Sequence, residues 1–388
     1  MRLAFKYRIY PNKEQLRKLE DVFWFCRFLY NSALQERIER YKQTGKSLSY
    51  SQQCTELADV KWYFPNETAA IYSQTLQQIL KQLDSSYQNF FRRCNSGSGK
   101  AGFPRYKGTD RFRSILFPQC NLITGGVKRL ANDKLQIYGI PGEIKAVWHR
   151  PVQGRCKTVR ICKQSGKWFL IASCDDVPKN ILPVTGNTIG IDMGLNSFIT
   201  TDTGKKHIAN KPYHTAKQKL AYWNRQLATK KRGSNNRKRA KHQLNKVYEK
   251  ITNIRNDSQH KLAKQLITEN DVIIVEKLNI QKMMTSKNHT VKKENITDAS
   301  WGNFRALLTY KAERAGRTVI EVNPANTSKM CSCCGKLKEL TLADRTYHCE
   351  ACGLHMDRDQ NAALNIRRLG LSLAAKTLQV VGSRSRRL

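Results

Sequence analysis

Three carboxylates stand where an acid is costly unless it has work to do. Asp192 closes the apolar run NTIGID, with Gly190 and Gly194 on either side. Glu276 closes DVIIVE, and an aspartate, Asp357 or Asp359, opens DRDQNAALNI. A buried, unpaired charge is expensive, so a carboxylate ending an apolar strand needs a metal ion, a basic partner or backbone donors. Capping a turn would account for Asp192. Capping a helix would account for Asp359, because the free N–H groups of a first turn favour an acid. Taken together, two strand ends and a helix start offer what two Mg²⁺ or Mn²⁺ ions require. In such a site one ion activates water and the other steadies the leaving oxygen of a phosphodiester, about 3.5–4 Å apart.

A second set of residues is chemically distinct. Cys331, Cys334, Cys349 and Cys352 form C-x₂-C-x₁₄-C-x₂-C, and each pair is followed by glycine, Gly335 or Gly353. Four thiolates suit tetrahedral Zn²⁺, and a closed Cys₄ set is structural rather than catalytic. The glycines permit the left-handed backbone that a metal knuckle needs. A redox role would need only one C-x-x-C. Cys333 is the surplus thiol, an alternative ligand disfavoured by the parallel between the two pairs. The other seven of the twelve cysteines lie unpatterned between Cys26 and Cys174 and read as small buried apolar residues.

Charge defines the partner. Lys and Arg number 69 against 30 Asp and Glu, a net +39. Such a surface calls for a polyanion, nucleic acid before an anionic membrane. With 40% apolar residues the chain is globular, and its 388 residues allow two or three domains. No run of 18 apolar residues is present, and MRLAFKYRIYPNKEQ lacks the apolar core of a signal peptide. The expectation is a cytoplasmic, reducing setting without disulfides.

Elements that must position these groups follow from periodicity. LAFKYRIY (3–10) alternates like a strand. A helical stripe follows through Leu16, Leu19, Phe23, Cys26, Tyr30, Leu34 and Ile38, with Asn12 and Gln15 as a capping pair. A second helix runs over about 68–91, and NSGSGKAG (95–102) breaks the chain. FPRYKG (103–108) mixes cations and aromatics, so Arg105 and Lys107 are candidates for phosphate and base contact. Short β runs such as KTVRICK and WFLIAS fill 112–177 and predict a small barrel or sheet.

From about 186 the pattern becomes strand–turn–strand. A basic helical hairpin follows over roughly 213–268, turning near KKRGSNNRKRAKH. Residues 211–250 hold thirteen Lys and Arg and one Glu, too few acids for i,i+4 pairing, which favours phosphate contact over a self-paired face. Lys230, Lys231, Arg232, Arg237, Lys238 and Arg239 are the candidate contacts. The strand 271–276, the helix 301–316 and the strand 318–322 complete an α/β core. Asp on its first strand, Glu on a later strand and Asp on its last helix match an RNase H-like nuclease.

The chain as a whole resembles TnpB, the transposon-encoded RNA-guided nuclease related to type V CRISPR effectors. KYRIYPNKEQ, FLYNSAL, FPRYKG, GIDMGLNSF, VEKLNI, TSKMCSCCG and CGLHMDRDQNAALNI resemble family motifs in the family's order. The resemblance implies a multidomain α/β protein. Its wedge domain is a β-barrel-like module over 1–12 and 100–182, with a helical recognition domain inserted over 13–99. It further implies a RuvC nuclease core over 186–328, a zinc ribbon over 329–355, a last RuvC part over 356–372, and a basic tail over 373–388. Asp192 and Glu276 match the first two catalytic positions. The aspartate of D-x-N-A-A, here Asp359, matches the third, leaving Asp357 as a secondary candidate. Two Mg²⁺ or Mn²⁺ ions and one structural Zn²⁺ are the implied metals. A guide RNA from the transposon end and double-stranded target DNA are the implied partners, in a monomeric, nucleoid-associated prokaryotic enzyme. Tyr50 and Gln77 match positions that read a short motif beside the target, and glutamine can pair with adenine.

Two other functions fit the same scaffold. A nuclease-silent DNA-binding repressor should have lost a carboxylate, whereas all three stand. A DNA-strand transferase would want a nucleophilic tyrosine beside a His pair. The eight histidines form no His-x-His, and His260 reads as a helix residue in packing or phosphate contact.

Overall fold

The computed structural model describes residues 1–97, 101–280, 283, 297–341 and 344–384, with side chains described through 375. Parts of the break at 95–102 and of the tail after 372 lie outside these residues. The chain divides into two compact units, Met1–Pro178 and Lys179–Leu388.

The first unit begins with β1 (Leu3–Tyr10) and α1 (Lys13–Thr44). The side chain of Asn12 accepts from the Gln15 N–H, and the Gln15 side chain accepts from the Asn12 N–H. This capping box fixes where α1 starts. The expected stripe faces inward, with Leu19, Phe23, Cys26, Tyr30 and Leu34 buried. Three short helices follow, α2 (Tyr50–Thr55), α3 (Leu57–Tyr63) and α4 (Pro65–Ala69), and then α5 (Ser73–Asn95). Six strands come next: β2 (Ser114–Pro118), β3 (Val127–Arg129), β4 (Leu135–Ile137), β5 (Lys145–Val147), β6 (Arg155–Gln164) and β7 (Lys167–Asp175). An antiparallel sheet of order β2-β6-β7-β1-β5 forms, with β3 and β4 as a separate pair. Phe5, Tyr7 and Ile9 of β1 share one apolar core with the inward faces of α1 and α5.

The second unit has a mixed sheet of order β10-β9-β8-β11-β12. Its strands are β8 (Thr188–Asp192), β9 (Ile199–Thr201), β10 (Lys206–His207), β11 (Val272–Glu276) and β12 (Thr318–Val322). β8, β11 and β12 are parallel, β9 runs antiparallel to β8, and β10 at the edge runs antiparallel to β9. Between β10 and β11 lies the hairpin of α6 (Pro212–Thr229) and α7 (Asn235–Glu269), zipped by Leu220, Leu244, Val247 and Ile251. Then α8 (Trp301–Ala315) leads into β12. A two-stranded ribbon, β13 (Thr346–His348) and β14 (His355–Asp357), precedes α9 (Arg358–Arg384). α9 runs unbroken past residue 372, so the segment expected as a tail begins inside this helix.

The two faces of this sheet have different partners, as the period of two requires. Ile191, Ile273 and Val275 pack with Leu266 and Ile267 of α7 and Phe304 and Leu308 of α8. On the opposite face Ile274 and Val322 pack with Ile366 of α9. Gly190 and Gly370 allow this second packing. A Cβ on Gly190 would lie 2.3 Å from the Ala363 carbonyl oxygen, and one on Gly370 would lie 2.4 Å from Ile274.

Candidate nuclease site and metal centre

Register brings the first two carboxylates together. β8 and β11 pair in parallel with Gly190 opposite Ile274 and Ile191 opposite Val275. Asp192 and Glu276 are the next residues of the same two strands, so they end them level, on neighbouring strands about 4.8 Å apart. Both belong to the face that α9 covers. α9 carries Asp359 in its first turn, and the missing side chain at Gly190 sets how closely that helix approaches.

Electrostatics register the convergence. Burial pushes the Asp192 carboxyl well above its usual range, and the charges of Glu276 and Asp359 push it further. Arg358 and the Met193 N–H oppose the rise without cancelling it. Glu276 is only 6% exposed, and burial also raises its carboxyl, against a hydrogen bond donated by the Thr327 hydroxyl. Asp359 is largely buried beside Arg358, with 3.6 Å between guanidinium and carboxylate. A desolvated carboxyl pushed up by two acidic neighbours marks this place as a candidate site for cations.

The two aspartates at the head of α9 separate cleanly. Asp357 is the helix cap: its Oδ1 accepts from the N–H groups of Asp359 (3.0 Å) and Gln360 (3.2 Å). Its other oxygen takes the Lys206 ammonium at 2.6 Å. Burial acts to raise the Asp357 carboxyl, but Lys206 and the two N–H groups outweigh it and hold the group below its usual value. The capping role considered for Asp359 therefore belongs to Asp357, which leaves Asp359 free of that duty.

Cys331, Cys334, Cys349 and Cys352 place their sulfurs within 4.8 Å of one another. Cys331 and Cys352 are 3.6 Å apart, as are Cys334 and Cys349. A tetrahedron with Zn–S bonds of about 2.3 Å has edges of about 3.8 Å, so the spacing fits a metal of that class. Gly335 and Gly353 take φ of +79° and +71°. Their N–H groups close turns onto the carbonyls of Cys331 and Cys349. The N–H groups of Cys352 and Ala351 pull the Cys349 thiol down to about 6, towards the thiolate a metal binds. Cys333 is exposed and outside the set. Among the described residues this is the one group of three or more such ligands so tightly gathered.

Sequence reasoning missed three residues. Thr327 lies against Glu276, and Asn361 and Asn365 on the inner face of α9 are fully buried. The amide of Asn361 donates to the Met330 carbonyl and accepts from the Ser332 N–H, at 2.8 and 2.9 Å. Asn365 donates to the carbonyls of Thr327 and Met330. The signal was present: two asparagines four apart, in register with the apolar Ala362 and Ile366, read as buried polar groups that need partners.

The expected nucleic-acid contacts divide. Lys231, Arg232, Lys238 and Arg239 are exposed around the α6–α7 turn, and Lys230 is half-exposed. Arg237 instead holds that turn, donating to the Leu227 and Lys230 carbonyls. Arg105 is exposed. Lys107 sits 3.9 Å above the Tyr30 ring, and burial draws its ammonium down to about 8, so it is committed to packing. Gln77 is exposed on α5, and Tyr50 opens α2 half-buried, its hydroxyl engaged with Cys54. No helix among the described residues is long and apolar enough to cross a membrane.

Comparison with known proteins decides the family. The chain is 32% identical to a "Putative RNA-guided DNA endonuclease" of Streptomyces pristinaespiralis, over 96% of this chain and 90% of that one. It is 33% identical to "TnpB-like protein L79" of Acanthamoeba polyphaga mimivirus, over 50% and 39% of the two chains. The chain belongs to the TnpB family. A second full-length relative, "Putative RNA-guided DNA endonuclease InsQ" of Escherichia coli K12, is 29% identical over 96% of this chain and 93% of that one. Family models described as "Helix-turn-helix domain", "Probable transposase" and "Cas12f1-like, TNB domain" match residues 1–46, 175–287 and 301–366. In this TnpB-family chain the first of these regions is a strand and one long helix. The fold is similar to the Cas12f1 chain in a cryo-EM Cas12f1–sgRNA–target DNA complex. The TM-score is 0.53 at 16% identity, covering 92% of this chain and 83% of that one.

Proposed function

We propose that this protein is an RNA-guided, divalent-metal-dependent DNA endonuclease with a RuvC-type site. The observation that carries the proposal is the level ending of β8 and β11 at Asp192 and Glu276, with Asp359 near enough to raise the Asp192 carboxyl. The sheet order, with β9 alone reversed between β10 and the three parallel strands, supports an RNase H-like core. The full-length relatives named as RNA-guided DNA endonucleases support the guided reaction.

In this reading Asp192, Glu276 and Asp359 hold two Mg²⁺ or Mn²⁺ ions, which supply an activated water and charge stabilisation at the scissile phosphate. The protein's own part is positional. The sheet fixes two acids, α9 delivers the third, and Thr327 holds Glu276. The thiolate cluster binds structural Zn²⁺ and takes no part in hydrolysis. Residues 1–12 and 100–182 form the wedge domain and 13–99 the recognition domain, with Tyr50 and Gln77 on the side that reads a short motif beside the target. The exposed cations of the α6–α7 turn and Arg105 contact phosphates. A guide RNA from the transposon end supplies sequence by base pairing, and the protein reads duplex shape. The enzyme acts as a monomer at the host nucleoid. A nuclease-silent repressor is disfavoured because all three acids are present, and two of them act on Asp192.

The test is to express the gene with its downstream flank, sequence the RNA that purifies with the protein, and offer DNA matching that RNA. One discrete RNA ending in the flank, with Mg²⁺-dependent cutting of matched DNA, is expected. Heterogeneous RNA and no matched cutting would overturn the guided reading.

A further inference from the structure

A chain of buried hydrogen bonds links the thiolate cluster to one carboxylate of the proposed nuclease site. Cys331 is flanked by Met330 and Ser332, and both neighbours are held by Asn361 of α9. Asn365, one turn further along α9, holds the Met330 carbonyl at 2.6 Å and the Thr327 carbonyl at 3.0 Å. The Thr327 hydroxyl then donates to Glu276 Oε1. Thr327, Asn361 and Asn365 are at most 1% exposed. A buried polar group that loses its partner cannot turn to water, so each link is costly to break and transmits displacement.

Geometry makes Thr327 the decisive link. Its hydroxyl has one proton and two acceptors in reach, Glu276 Oε1 and the Pro324 carbonyl at 3.1 Å. Directed at Glu276, that proton fixes one carboxylate oxygen and leaves the other, with the remaining lone pairs, for a cation. A backbone shift at Met330 would move the Thr327 carbonyl through Asn365 and swing the hydroxyl off Glu276.

We propose that Thr327 is a positioning residue that sets Glu276 for divalent-metal binding, and that Asn361 and Asn365 make this setting depend on the metal-filled thiolate cluster. The inference rests on the nuclease reading above and adds a route by which zinc occupancy controls cutting. Partners one step removed from a metal carboxylate are typically worth about 10–100-fold in affinity or activity.

The experiment titrates Mn²⁺ into the zinc-loaded protein with its co-purified RNA. It follows both the Mn²⁺-induced rise in melting temperature and the cutting of matched DNA. Thr327→Val should shift both half-saturation points upward by about tenfold or more, and Thr327→Ser should return them to the parent's. Mn²⁺ curves for Thr327→Val that match the parent's would overturn the positioning role. Asp192→Ala is run in parallel to keep the two readings apart. If it still cuts, the carboxylate site itself is misassigned; if it is inactive while Thr327→Val behaves as the parent, only the Thr327 inference fails. Dependence on the cluster is read from a cycle with Cys334→Ser. The effects should fall short of multiplying in the double variant, because both break one route. Fully multiplicative effects would overturn the link.

Discussion

The thiolate cluster and the carboxylate cluster sit in the same unit and are built on opposite plans. All four cysteines fall within one short segment, and their sulfurs are gathered by two local turns, each closed by a left-handed glycine. The three acids come from β8, β11 and α9, far apart in sequence, and meet only because the whole sheet has formed with the correct register. The local centre is satisfied by its own loops. The distributed one is strained by design, with Asp192 pushed up by burial and by its two acidic neighbours. A centre assembled locally serves as an anchor; one assembled from the fold reports on whether the fold is intact.

Substitutions can test this contrast, beginning with the largest expected effect. Asp192→Ala or Asp359→Ala should reduce cutting of matched DNA by about a thousandfold while co-purified RNA is retained, since the cationic surface is untouched. Parental cutting by either variant would remove that residue from the site. Asp357→Ala, two residues from Asp359, should instead cost about 1 kcal/mol of stability through the lost cap and lower cutting only a few-fold. Equal losses at 357 and 359 would erase the distinction drawn here.

Cys349→Ser breaks the local centre, and the damage should reach cutting only through α9 and Thr327. A fall of roughly 10–100-fold is expected, accompanied by easier proteolysis of the 329–355 segment. Unchanged proteolysis and cutting would make the cluster dispensable. Gly190→Ala should destabilise by about 1–3 kcal/mol, because its Cβ would overlap the Ala363 carbonyl. An unchanged melting temperature would mean that α9 is not seated as described.

The smallest effect concerns pH. A carboxyl raised in the folded state holds its proton more tightly than in the unfolded chain. Metal-free protein should therefore lose stability as pH rises from the ordinary carboxylate range through the raised Asp192 value. Asp192→Asn should flatten that decline. Parallel melting curves for parent and variant in chelator, between about pH 5 and pH 8, would show that Asp192 carries no such burden.

The same contrast explains what could be read from the sequence. The knuckles were legible to the residue because metal-ligand spacing is a local property. β1, α1 and its capping box, the α6–α7 hairpin and the strands ending at Asp192 and Glu276 were legible because period and caps are local as well. Asp357 and Asp359 were not separable from pattern alone. Either could cap, and only the observed bonds to the N–H groups of Asp359 and Gln360 assign that duty to Asp357. Lys107 and Arg237 illustrate the limit for charge. Both counted as surface cations in the sequence, yet one lies over Tyr30 and the other holds carbonyls of its own turn. Thr327 carried no signal, since its meaning comes from a neighbour in space.

The placement of Asp359 on the last helix also has a consequence for synthesis. A ribosome delivers the strand of Asp192 first, that of Glu276 much later, and the head of α9 later still. A polypeptide released early, by a stalled ribosome or a premature stop, can carry the cationic hairpin and two of the acids without the third. Under the proposed mechanism such a fragment grips nucleic acid and leaves it whole, so vectorial translation itself withholds the cutting function from incomplete products.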